Sequence, residues 1–378
     1  MPHPTAHNLI QPREIRFDIL RFLGLFCIIL AHVNPPSLIF QLRNFDVPLM
    51  VIISGSVFYI SSSKKYISLG LYLKKRLIRL IAPVWVFLIV FFLLIDILFA
   101  LNQKAYPFSF TTILETFLLS RGDGSANGSV GFVYIIRVFV LTALISPAIL
   151  SLYKKSKYQE NFLGLLAIVY IFYELAVHYI DDVQFMLPGL ESFLRNYVLI
   201  SIPYGCLVGL GIIFMKASRT FLVKTALFFL SIFLVLAGYF FATSGKLVLT
   251  QIAKYPPTIY YLSYAIFVST LAYLVIDQIL AKYGETWFAK SSPWTQIIAF
   301  ISQSSLWIYL WQSFWVIFWG LFSAKYLPFA NHFMVAFVGI ASLSILTTYL
   351  QKKFFTKLIQ TSVWGHKYRQ VATILFLQ

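Results

Sequence analysis

The sequence predicts an all-α polytopic membrane protein with about ten transmembrane helices and both termini in the cytoplasm. Three observations carry that expectation. Of its 378 residues, 60% are hydrophobic and only 11% are charged, against about 25% charged in an ordinary soluble domain. Several apolar runs reach the ~20 residues that a spanning helix needs. The cations, finally, are shared unequally between alternate loops. A single soluble core is excluded. A β-barrel is not expected, because barrel strands alternate apolar and polar residues over short segments.

Ten spans are expected, at 15–34, 45–62, 80–101, 131–153, 161–180, 197–215, 222–242, 259–280, 296–322 and 329–351. The segments on one side, around 13–16, 64–79, 154–157, 216–224, 282–290 and 352–369, hold 21 Lys and Arg. The other side holds seven: Arg43, Lys104, Arg121, Arg195, Lys246, Lys254 and Lys325. The rich side is read as cytoplasmic. The net charge of +17 then reflects topology and anionic membrane lipids, and no nucleic-acid partner is expected. Cys27 and Cys206 fall in apolar segments as small buried hydrophobes, with no spacing that suggests zinc and no metal site expected. Arg21 interrupts the first apolar run and no small-residue cleavage pattern follows, so a cleavable signal peptide is not expected.

The whole chain, 1–378, reads as one integral membrane domain. Segment 64–79 is basic and amphipathic, and is expected to form a separate interfacial helix. The tail, 358–378, ends in an apolar stretch too short to span and is expected to be interfacial. Two outer loops, 102–130 and 243–258, are longer than their connections need. The first carries a flexible run at 122–129 and reads equally as lid or connector. The second ends in Lys254-Tyr255-Pro256-Pro257 and feeds Tyr260 and Tyr261, which aromatic belting also explains. No internal repeat is evident.

Arg21 and His32 are the most telling residues. Both lie in the first span, where ionisable groups are retained mainly when they face a cavity. As a helix, that span separates them by ~16 Å at 1.5 Å per residue. Counting depth in the same way places His32, Asp46, Arg137, Glu174, His178 and Gln312 in one band near the outer face, which suggests one polar cavity opening outward. Glu174 and His178 share a helix face and are read as a structural pair, with each other or with Arg137. On the inner side, Arg21, Lys74, Lys75, Arg76 and Arg79 make a cationic mouth suited to phosphates, although such residues most often bind lipid headgroups. Ser54-Gly55-Ser56 is read as a site of close helix packing.

The N-terminal third resembles the membrane acyltransferase-3 family. The residues that carry the likeness are Arg16-Phe17-Asp18-Ile19-Leu20-Arg21 followed by His32, then Phe45-Asp46-Val47-Pro48-Leu49 leading to Ile53-Ser54-Gly55, then Lys74-Lys75-Arg76-Leu77-Ile78-Arg79-Leu80-Ile81-Ala82-Pro83. Weaker echoes are Lys254-Tyr255-Pro256-Pro257 and Ser305-Leu306-Trp307-Ile308-Tyr309-Leu310-Trp311. Where family members often carry a histidine after the late Tyr-Leu-Trp, this chain has Gln312.

The resemblance implies an acyltransferase in the bacterial cytoplasmic membrane. Its donor would be cytoplasmic acyl-CoA, with acetyl-CoA first in line. Its acceptor would be a hydroxyl of a surface polysaccharide or lipid-linked glycan. A sugar hydroxyl needs a positioned base, and imidazole suits that task; His32 is the expected base. Asp46, by its depth, is expected to orient the ring, and Arg21 to stabilise negative charge on the donor. Lys75, Arg76 and Arg79 would hold the donor's phosphates. Arg137, Glu174, Tyr260, Tyr261 and Gln312 are expected to line the acceptor site. Two rival readings use the same features: a transporter or flippase for a lipid-linked or acidic saccharide, and a membrane scaffold.

Overall fold

A computed structural model describes residues 14–377 apart from 63–67, 121–129, 181–188, 290 and 327. The described residues form helices and no strand. In a bilayer the helix is the natural solution, because each segment then satisfies its own backbone hydrogen bonds. Among the described residues nine helical stretches are long and apolar enough to cross a membrane, with Ser37–Ser62 and Leu190–Phe214 each taken as one. The first, α1 (Ile15–Ala31), has 17 residues, just short of that length. A short α2 (Ser37–Leu42) leads into α3 (Asp46–Ser62). Then come α4 (Leu69–Leu101), α5 (Phe110–Phe117), α6 (Val133–Lys155) and α7 (Gln159–Tyr179). After α8 (Leu190–Phe193) and a π-helical turn, Leu194–Leu199, follow α9 (Ile200–Phe214), α10 (Arg219–Ser244) and α11 (Ile259–Trp287). The chain closes with α12 (Pro293–Gln303), α13 (Ser305–Tyr326), α14 (Phe333–Thr361), α15 (Val363–Lys367) and α16 (Arg369–Phe376).

Two expectations need correction. The apolar run 296–322 is not one helix: it breaks at Ser304, whose φ of −102° and ψ of 8° leave the helical region. Three consecutive small or polar residues, Gln303-Ser304-Ser305, offer the break little resistance, and α12 packs along α1 instead of continuing α13. Nor is the basic segment a separate helix. Residues 69–79 are the opening turns of α4, which runs unbroken through Pro83 to Leu101; residues 64–67 lie outside the described residues, as does the run 122–129. The tail folds back on the bundle: the rings of Phe355 and Phe376 stack at 3.7 Å, and α16 packs against α4 and α14.

Close helix packing falls where the small residues are. A Cβ at Gly55 on α3 would run into the Val208 carbonyl of α9, and one at Gly211 into the Ile52 carbonyl. Ser56 Oγ donates to Gly211 O at 2.7 Å. The backbones of α3 and α9 therefore touch, as small residues permit. Two hydrophobic cores result. One gathers α4, α13 and α14, the other α3, α9 and α11, and α1 contributes to both: Leu25, Ile28 and Ile29 to the first, Phe17 and Leu20 to the second.

Candidate active site

Helix α1 is enclosed by protein. It packs against α3 and α11 on one flank and α12, α13 and α14 on the other. Asp18 is buried and accepts from Ser302 Oγ at 2.7 Å. Arg16 pairs with Asp277 at 3.0 Å and donates to Tyr273 at 2.6 Å, which ties the start of α1 to the middle of α11. Arg21 follows, half-buried. The helix stops at His32 because the chain cannot go on: Asn34 takes a left-handed φ of 49°, and Pro35-Pro36 next in sequence disfavours helix and removes two N–H donors.

His32 is thus the terminal cap of a central helix. The residue is exposed. Nδ1 lies 2.7 Å from the carbonyl oxygen of Ile28. A carbonyl only accepts, so Nδ1 carries the proton and Nε2 keeps its lone pair. The ring is oriented as a base by its own helix.

Asp46 does not orient His32, contrary to expectation. Its carboxylate takes Arg43 at 2.7 Å, Lys254 at 3.5 Å and the backbone N–H of Val47 at 2.7 Å. Arg43, Asp46 and Lys254 are all buried. Lys254 also donates to Asn44 Oδ1 at 3.1 Å, and Asn44 donates to Thr250 at 3.2 Å. The cluster locks the α2–α3 corner to the turn Ile252–Lys254. Burial pushes the Lys254 ammonium down to about 8, partly offset by Asp46 and reinforced by Arg43. All three charges act on His32. With two cations against one anion, the cluster presents net positive charge to His32. Sequence reasoning counted Arg43 as a loop cation and Lys254 as that and as part of a weaker family echo; the i, i+3 spacing of Arg43 and Asp46 was the available signal.

The other expected site residues scatter. Glu174 accepts from Tyr170 at 2.7 Å and from the N–H of Ile259 at 2.5 Å, so it caps α11 and binds neither His178 nor Arg137. Tyr260 donates to Val248 O at 2.8 Å and stacks on Phe233, a packing role. Tyr261 is buried beside the Lys254 ammonium, 5.9 Å from ring centre, with its hydroxyl unpartnered. Arg137 is buried, donates to Ser120 O at 2.9 Å and lies 5.4 Å over the Tyr134 ring. Tyr134 in turn meets Tyr255 edge-on at 4.9 Å. Gln312 is fully buried in the first half of α13, and neither amide atom has a partner. It lies one turn beyond Tyr309, which is buried near Asp46 and Tyr255 and donates to Phe132 O at 2.5 Å. Of the six polar groups expected to share one outward cavity, the structure brings Asp46, with Arg43 and Lys254, close enough to act on His32, and turns Glu174 to Tyr170 and Ile259. Lys75, Arg76 and Arg79 are exposed on the opening turns of α4.

Comparison with curated proteins and with solved structures returns no match. The family model for the acyltransferase domain of acyltransferase-3 matches residues 14–350. That span begins just before α1, ends within α14, and takes in His32, the Asp46 cluster and Gln312. A match over nearly the whole chain, on an all-helical bundle with nine membrane-length helices, identifies this multi-pass membrane protein as a member of the acyltransferase-3 family.

Proposed function

We propose that the protein transfers an acyl group, acetyl in the first instance, from acyl-CoA in the cytoplasm to a hydroxyl of a cell-surface or lipid-linked saccharide. The setting is the bacterial cytoplasmic membrane, with both chain termini inside. The observation that carries this reading is His32: an accessible imidazole on an enclosed helix, its Nδ1 held by Ile28 O and its Nε2 left as a base.

The chemistry follows from that geometry. Nε2 accepts the proton of the acceptor hydroxyl, and the oxygen attacks the thioester carbonyl. The new C–O bond forms, the C–S bond breaks, and the imidazolium returns its proton to the departing thiolate. Negative charge that develops on the carbonyl oxygen is favoured by the excess cation of the Arg43–Asp46–Lys254 cluster. Arg21, ~16 Å along α1 from His32 at 1.5 Å per residue, is suited to steady the donor nearer the other end. The residues present fit a donor rich in phosphate. Lys75, Arg76 and Arg79 are exposed cations on the end of the bundle where α1 begins, and such side chains bind phosphate well.

Purified protein incubated with radiolabelled acetyl-CoA and a saccharide acceptor should yield labelled saccharide. The Arg76→Ala, Arg79→Ala double variant should need more donor for half-maximal rate. Transport of saccharide without labelling would refute the assignment, and an unchanged donor titration would return those arginines to lipid anchoring.

A further inference from the structure

A cavity of about 470 Å³ lies beside the Asp46 cluster, walled by Tyr134, Tyr173, Tyr255, Ser192, Arg195 and Asn196. We propose that it is the subsite that selects the acceptor, and that it takes an uncharged, hydroxyl-rich sugar ring. The inference rests on the acyl-transfer reading for its purpose, but the binding it predicts stands or falls separately.

Four features support it. The volume falls within the ~300–1,000 Å³ typical of small-molecule sites. The lining joins aromatic faces to hydroxyl, amide and guanidinium groups, which suits a ring with C–H faces and hydroxyl edges. Tyr173 is 1% exposed, yet its hydroxyl has no partner, so a buried donor and acceptor stands ready on the cavity wall. And Arg195 and Asn196 project from the π-helical turn Leu194–Leu199, a distortion found often at functional sites.

Charge argues for a neutral ligand. Arg195 is paired with Glu191 at 2.8 Å, and Arg137, also on the wall, is directed to the carbonyls of Leu119 and Ser120 at 3.3 and 2.9 Å. Both guanidiniums are thus already engaged by acceptors of the protein. The position also suits an acceptor. Tyr255 forms part of the wall and directly follows Lys254, so one residue separates the cavity from the charges that face His32. Sequence reasoning put Arg137 in the acceptor site but missed the rest, because residues near 173, 192 and 255 meet only in the folded chain.

The test is an array of neutral and acidic mono- and oligosaccharides probed with detergent-solubilised full-length protein. Wild type should bind neutral sugars. Asn196→Trp fills the cavity from its half-exposed rim and should weaken that binding at least tenfold; Tyr173→Phe, which removes only the hydroxyl, should weaken it about threefold. With the best-bound array sugar as acceptor, Asn196→Trp should raise the acceptor KM at least tenfold and leave the acetyl-CoA KM unchanged. Absence of sugar binding, binding confined to acidic sugars, or undiminished binding by Asn196→Trp would each overturn the proposal. Cavity-dependent sugar binding without acyl transfer would uphold the subsite and refute the acyl-transfer reading instead.

Discussion

His32 Nδ1 sits 2.7 Å from the carbonyl oxygen of Ile28, one turn earlier on the helix that both cores share. A backbone carbonyl thus does what a carboxylate does in a hydrolase triad: it fixes the tautomer and the angle of the ring. Being part of α1, it needs no second element to arrive in register. His32→Ala should lower acyl transfer by ~10²–10⁴-fold, the range for a positioned general base. The ring is accessible, so the melting midpoint in detergent should stay where it is. Label transfer and a thermal melt on the same preparation check both halves, and near-normal transfer would remove His32 from the mechanism.

The Asp46 carboxylate holds two buried cations, Arg43 at 2.7 Å and Lys254 at 3.5 Å. Asp46→Asn would leave both without their counter-charge, a change that typically costs ~3–5 kcal/mol. The expected outcome is a marked fall in the melting midpoint. Lys254→Met in the Asp46→Asn background should recover part of it, because one stranded charge is gone. A double-mutant cycle measures the coupling; additive single effects would show that the pair does not interact.

Lys254 gives this cluster a pH signature. Its folded value of about 8 lies below its ordinary 10.5. Between those two values the unfolded chain binds a proton that the native state has released. Stability should therefore rise with pH across that window, with a slope of up to ~1.4 kcal/mol per pH unit from this one group. Melting midpoints measured from pH 7 to pH 10 should rise in wild type relative to Lys254→Met. Parallel curves would place the lysine's titration outside the window.

What could be read from the sequence was what hydrophobicity decides along a single axis. A charge inside an apolar run is expensive at any rotation, so Arg21 and His32 stood out, on a helix that packs against five others. Depth counting put Asp46 in the band of His32 and made the two partners, whereas the carboxylate is held by Arg43 and Lys254. Depth gives the axial coordinate and says nothing of azimuth, and the partner was settled by a loop some two hundred residues away delivering Lys254. Glu174 illustrates the same limit: its helix-capping bond to Ile259 N depends on how α7 and α11 abut. The break at Ser304 was hidden because apolar residues continue on both sides of it. The opening of α4 was misjudged because a basic amphipathic stretch looks the same whether it lies along a membrane or extends a span.

Gln312 offers the sharpest separation of stability from function. Its amide is fully buried, and neither Nε2 nor Oε1 has a hydrogen-bond partner. Leaving such a group unsatisfied costs ~1–3 kcal/mol, and replacing it by an apolar side chain of similar shape removes that cost. Gln312→Leu should therefore raise the melting midpoint. A residue that merely packs would change nothing else. Gln312, however, lies one turn from Tyr309, which is buried near Asp46 and Tyr255, and so close to the proposed reaction site. The stabilised variant should accordingly transfer acyl groups more slowly, with a lower kcat and little change in the acetyl-CoA KM. A higher midpoint with an unchanged kcat would make Gln312 a tolerated defect of the core, whereas a lower midpoint would mean that its amide finds partners within the bundle after all.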